Sequence, residues 1–210
     1  MSTEFKTKYK RSLLDSDSIE LHLHPNFIEH VNKNMNNSIT TFKLSDIKEF
    51  RYGVRWYHYY FIFGREYQIY VRNYNNEVIK INFSTYFKRK KKIYSQLYSE
   101  LIDSLWKLYF YPQVDAYLKE FEAGEIFQIG ETNINPEGII IRVSELTKLD
   151  RQLIPWKDVR TRDYATYFSI YSAQNPRAIH RGYSYKEDWN TAVLYSVVRT
   201  ILRDNKIEEH

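Results

Sequence analysis

No cysteine occurs anywhere in the 210 residues. Disulfides, thiolate zinc centres and cysteine nucleophiles are therefore excluded, and the composition suits a reducing compartment. No segment approaches the roughly eighteen consecutive apolar residues that cross a bilayer. The opening Met1-Ser2-Thr3-Glu4-Phe5-Lys6 lacks the apolar stretch of a secretory signal. The expectation is a soluble, cytoplasmic protein with no transmembrane segment. Catalytic signatures are missing too: there is no His-Glu-x-x-His, no phosphate-cradling glycine loop and no Gly-x-Ser-x-Gly elbow. The reading is non-enzymatic, with no catalytic, metal or cofactor residue assigned; a hydrolase with an unrecognised site is the third alternative.

What the chain does carry is rings and unevenly placed charge. Hydrophobic residues make up 43% and charged residues 27%, an ordinary globular balance that allows one large domain or two small ones. Residues 1–112 hold 18 Lys and Arg against 11 Asp and Glu, whereas 113–210 hold 13 against 15. The positive excess thus belongs to the first half, and Lys88-Arg89-Lys90-Lys91-Lys92 is its densest point. Twenty tyrosines and four tryptophans exceed what two small cores readily hide.

The two halves echo each other. Leu44-Ser45-Asp46-Ile47 matches Trp156-Lys157-Asp158-Val159 as apolar, polar, Asp, β-branched. The segments Tyr59 to Phe63 and Tyr167 to Tyr171 follow as aromatic strands, and each half closes on an amphipathic helix. Strand alternation is clean in Ile19 to His24, with Ile and Leu on one side and Glu and His on the other. Asn32 to Asn37 reads as a loop, Ser38 to Leu44 as a strand, and Asp46 as a turn or bulge. Lys48 to Arg55 and Trp56 to Phe63 read as strands, Gly64-Arg65-Glu66 as a short connection, and Tyr67 to Arg72 and Val78 to Phe83 as further strands. From Thr85 the period lengthens, and Ile93, Leu97, Leu101, Leu105 and Leu108 form a helical stripe. Pro112 predicts the start of a second helix, Gln113 to Glu122. In the second half, Glu125 to Gly130, Ile139 to Val143, Leu153 to Trp156, Val159 to Thr166, Tyr167 to Ser172 and Ala178 to Tyr183 read as strands. Ser144 to Arg151 reads as a polar loop. Ser184-Tyr185-Lys186-Glu187 has the form of a capping box ahead of the final helix.

The predicted fold is mainly β with α: two small curved antiparallel sheets or partly open barrels, each capped by a C-terminal amphipathic helix. Domain one spans 1–112, a helical linker 113–123, and domain two 124–210. The opening Phe127-Gln128-Ile129-Gly130, the strand start Glu137-Gly138-Ile139-Ile140-Ile141, the segment Ile154 to Val159 and the helix bearing Trp189-Asn190 and Val193-Leu194 resemble bacterial pleckstrin-homology-like domains. The resemblance covers roughly 125–203 and extends over 18–111. It implies a curved sheet of about seven strands plugged by a helix. Some members bind lipid headgroups through basic residues between their first two strands. Here Glu131 to Gly138 has no Lys or Arg, so the resemblance implies a scaffold rather than an activity.

Three kinds of contact follow from the residues. The first is protein recognition or self-association as a homodimer, through aromatic surfaces and sheet edges. Its candidate surface is ring-rich Tyr52 to Tyr60 with Tyr109-Phe110-Tyr111, the named residues being Arg51, Tyr52, Arg55, Trp56, Tyr57, Arg65, Tyr109, Phe110 and Tyr111. The second is an anionic ligand, nucleic acid or an anionic membrane surface, met by Lys88, Arg89, Lys90, Lys91 and Lys92. The third is weaker: His22 and His24 share a strand side and, with Glu20 or Glu29, have the residue types of a metal site.

Overall fold

The computed structural model describes residues 4–12, 18–32, 38–60, 62–86, 91–144 and 149–207. The chain divides into two compact units, Met1–Pro112 and Gln113–His210. Strands dominate both, all antiparallel and arranged in four separate sheets, none closed into a barrel.

The first unit begins with a four-stranded meander of β1 (Phe5–Tyr9), β2 (Ile19–His24), β3 (Phe27–Asn32) and β4 (Ser38–Lys43). A 3₁₀ turn, Leu44–Asp46, leads to a three-stranded meander of β5 (Ile47–Tyr59), β6 (Ile62–Asn73) and β7 (Val78–Tyr86). The second unit has the same order. A meander of β8 (Phe127–Ile129), β9 (Thr132–Asn135), β10 (Gly138–Ser144) and β11 (Leu149–Pro155) is followed by a 3₁₀ turn, Trp156–Asp158. Then come β12 (Val159–Asp163), β13 (Tyr167–Ser172) and β14 (His180–Ser184). The echoed Leu-Ser-Asp and Trp-Lys-Asp segments are these two turns, each passing the chain from its first sheet to its second.

Alternation places the core. In β2, Ile19, Leu21 and Leu23 are buried while Glu20, His22 and His24 are partly exposed. β3 was not legible as a strand because its inward positions are Ile28, His30 and Asn32, two of them polar. His30 lies opposite Leu21, and its Nε2 is 3.5 Å from the Tyr9 hydroxyl. Burial, and then the nearby Arg11 charge, holds the His30 imidazole below its ordinary value of 6.5. The unfolded chain therefore takes up a proton that the folded chain refuses. His30's contribution to stability is complete above 6.5 and is lost as pH falls from there toward the depressed folded value. Urea unfolding between about pH 7.5 and pH 5 should show a loss with a slope of at most about 1.4 kcal/mol per pH unit from this group. His30→Gln should remove that slope.

Two predicted boundaries are corrected. The β5–β6 connection is not Gly64-Arg65-Glu66, which lies inside β6; strand pairing continues to Tyr59 opposite Ile62. Gly64 sits between Tyr57 on one side and Tyr86 on the other. A Cβ there would come within 2.7 Å of the Tyr86 ring, so the glycine makes room for neighbours rather than for a turn. The turn instead uses Tyr60 at φ 47°.

The helix likewise continues where a break was expected. α1 (Lys91–Leu105) passes through a π turn, Trp106–Phe110, into α2 (Tyr111–Glu122). Pro112 has no N–H to offer the Leu108 carbonyl, and its ring would press on it in α geometry. The π turn, with the Tyr111 N–H donating to the Trp106 carbonyl, widens the helix just ahead of the proline. Tyr94, Leu101, Leu105 and Leu108 are buried, but Ile93, assigned to the stripe from spacing, is 62% exposed. Residues 113–123, read as a linker, group with the second unit, where Tyr117 stacks on Phe127 and Phe121 meets Trp156 edge-on.

The final helix, α3 (Thr191–Asp204), buries Val193, Leu194, Val197, Val198, Ile201 and Leu202. Its predicted capping box is a turn instead. The Ser184 hydroxyl accepts the Glu187 N–H, but the Ser184 N–H goes to Asp188 Oδ2 at 2.8 Å. Asp188, one residue further on, takes the place that Glu187 would have filled.

Candidate functional site

The long β5–β6 hairpin carries two different sides. Because directly paired residues of antiparallel strands share a side, one side runs Phe50/Val71, Tyr52/Ile69, Val54/Tyr67, Trp56/Arg65 and His58/Phe63. The other runs Glu49/Arg72, Arg51/Tyr70, Gly53/Gln68, Arg55/Glu66 and Tyr57/Gly64.

The first side changes character along its length. At its base Phe50, Tyr67, Ile69 and Val71 are buried. Phe110 meets Phe50 edge-on at 4.5 Å and stacks on Tyr52, and Tyr98 of α1 lies against Tyr67. The indole N–H of Trp106 donates to the Tyr52 hydroxyl at 3.3 Å. Two pairs further toward the tip the same side is open. Trp56 is 63% exposed and Phe63 55% exposed. The Arg65 guanidinium lies 3.6 Å from the centroid of the Trp56 ring, and the His58 and Phe63 rings are 4.7 Å apart. Tyr60, at the turn, is 78% exposed in a left-handed conformation that costs a side-chain-bearing residue about 1–2 kcal/mol. An aromatic residue at a position suited to Gly or Asn is a local expense of the kind found at working surfaces.

The second side is a polar ladder with its groups engaged. Glu49 Oε2 accepts both Nε and Nη2 of Arg72, and the Arg51 guanidinium lies over the Tyr70 ring at 4.9 Å. Glu66 Oε2 accepts the Tyr57 hydroxyl at 2.6 Å and the Gln68 amide at 2.7 Å. That bond to a carboxylate, with some burial, pushes the Tyr57 phenol up to about 12.

The structure therefore splits the predicted surface. Trp56 and Arg65 meet on the open side, with Tyr52 at its covered base. Arg51, Arg55 and Tyr57 lie on the polar side. Tyr111 is exposed at the start of α2, its ring 5.3 Å from Trp106. Tyr109 and Phe110 are corrections: both are core residues, 1% and 0% exposed. The single proton of the Tyr109 hydroxyl is shared between the backbone carbonyls of His24 at 2.7 Å and Phe27 at 2.9 Å, fastening the helix to the β2–β3 turn. Sequence reasoning passed over Phe63; His58 and Tyr60 lie within the ring-rich stretch Tyr52 to Tyr60. Of the basic cluster, Lys91 and Lys92 are exposed in the first turn of α1, while Lys88, Arg89 and Lys90 lie outside the described residues.

His22 and His24 do share a side of β2, but their surroundings account for both. His24 stacks on Phe27 at 4.6 Å, and His22 Nε2 lies 2.6 Å from Glu4 Oε1. The Lys6 ammonium, joined by His22, holds the Glu4 carboxyl below its ordinary value. No group of three His, Asp or Glu is placed to hold a metal ion among the described residues. An open groove of about 480 Å³ over this side is lined by Lys6, Lys8, Glu20, His22 and Glu29, with Lys8 and Glu20 paired across strands at 3.5 Å. No helix among the described residues is long and apolar enough to cross a membrane.

Comparison with known protein families and with characterised proteins finds no match for this chain.

Proposed function

We propose that this protein is a non-enzymatic recognition module that engages a protein partner through the open side of the β5–β6 hairpin tip. One observation carries the reading. A strand side that is core at Phe50 and Val71 continues without change of register to Trp56, His58 and Phe63, which stand in solvent. Large rings left exposed beside an arginine are the residue types that anchor protein contacts. The shared order of four strands, 3₁₀ turn, three strands and helix supports two copies of one pleckstrin-homology-like fold. The buried stripe of α3 and the Tyr195 ring 5.0 Å from Phe168 support a helix that closes the second copy. In this reading the hairpin tip is what the scaffold presents.

A photo-crosslinking residue installed at Phe63 tests the reading in the producing cell. The expected result is one or a few discrete protein adducts, with none from the same residue at Ile93, which is exposed on α1. No adduct from position 63, or an indistinguishable pattern from both, would remove the tip from consideration. The anionic-ligand reading draws on the exposed Lys91 and Lys92. Its signature is different: binding that collapses with added salt and vanishes when Lys88 to Lys92 are neutralised.

A further inference from the structure

The chemistry around the hairpin tip narrows what can occupy it. From Arg51 to Arg65 the chain carries three arginines and no acidic residue. The first carboxylate, Glu66, lies on the polar side and already accepts two hydrogen bonds. A symmetric contact between two copies through this small patch would bring two arginine-bearing surfaces with no acidic residue together while excluding water, and like charges brought together that way oppose association. A bilayer would surround both sides of the hairpin, including the polar ladder of Arg55, Tyr57 and Glu66. The rings of Trp56, His58 and Phe63, by contrast, are sorted onto one side. A segment lying along that side alone would cover the rings and leave the ladder in water.

Arg65 also has a second use available. A guanidinium lying on a ring keeps its in-plane N–H groups directed outward, where a carboxylate can accept two of them. The geometry points to an acidic amphipathic protein segment as the occupant of the tip. It lays an apolar or aromatic side chain on Trp56 and Phe63 and presents a flanking carboxylate to Arg65, with Arg55 adding long-range attraction from the hairpin's other side. This rests on the tip being the contact surface proposed above.

The test is selection of displayed random peptides on the intact protein, followed by affinity measurement with the enriched peptides. Phosphatidylcholine vesicles with and without phosphatidylserine, and a labelled oligothymidine, are run beside them. The expected peptides carry an aliphatic or aromatic anchor within one or two positions of Asp or Glu. Trp56→Ala and Arg65→Glu should each weaken binding about thirtyfold or more, the size of an interface hot spot. An unchanged thermal midpoint in each variant separates this from unfolding. The Arg55→Glu, Arg65→Glu pair should regain affinity for the same peptides with their acids replaced by Lys, an outcome that loss of structure cannot give. Enrichment of basic or uncharged peptides overturns the acidic occupant, as does Trp56-dependent binding of vesicles, oligothymidine or a second copy; each leaves the surface itself standing. If no probe binds in a Trp56-dependent way, surface and occupant both fall.

Discussion

Replacing Gly138 with alanine is expected to remove about 3 kcal/mol or more from the stability of the second unit. Gly138 opens β10 and is paired on both sides, with Asn135 of β9 and Pro155 of β11. An added Cβ would lie 2.2 Å from the Ile154 carbonyl oxygen and 2.9 Å from its carbon. Both are backbone atoms, so no side chain can swing aside to relieve the clash. The strands would have to part where the hairpin is most tightly tied. Asn135 Oδ1 accepts the Glu137 and Gly138 N–H groups, and the Trp156 indole donates to the Asn135 carbonyl at 2.9 Å. Urea unfolding followed by tryptophan emission measures the loss. A change under about 1 kcal/mol would mean that β10 and β11 are spaced differently from what is described.

Phe110→Ala should cost the first unit about 3–5 kcal/mol, the usual range for emptying a phenylalanine site in a core. Phe110 is fully buried, its ring set against Phe50, Tyr52 and Trp106. It belongs to the π turn that carries the helix through Pro112, and collapse of neighbours into the vacancy is limited by strand pairing on one side and the helix on the other. The expectation from sequence, which placed Phe110 on a contact surface, calls for a change within about 0.5 kcal/mol. Chemical denaturation distinguishes the two without any partner.

Much of the fold was legible because the burial pattern follows the apolar pattern. Ile19, Leu21 and Leu23 in β2 and the α3 stripe from Val193 to Leu202 were readable in that way. The echo marked a turn at Asp46, but Trp156, read as the end of a strand, belongs to the second 3₁₀ turn. The failures also have physical sources. β3 turns His30 and Asn32 inward, so its alternation looks polar on both sides. Gly64 suggested a turn, but its small size serves the packing of Tyr57 and Tyr86. Ser184 and Glu187 matched a helix start, but Asp188 competes for the same backbone N–H. At the hairpin tip, Trp56 to Phe63 is almost unbroken aromatic, so the period-2 signal that would sort inside from outside is silent there. That is why Trp56, Arg55 and Tyr57 read as one surface although the hairpin divides them. Phe63, and its pairing with His58, became visible only through register.

The claim on which the functional reading depends is that the Trp56 side of the hairpin is open, and the unfolding free energy of Trp56→Ala tests it most directly. With Trp56 exposed and its ring against the Arg65 guanidinium, the loss should stay within about 1 kcal/mol, the worth of an exposed cation–π contact. A loss of about 3 kcal/mol or more, comparable to Phe110→Ala, would show that the chain itself covers this side and leaves no place for a partner.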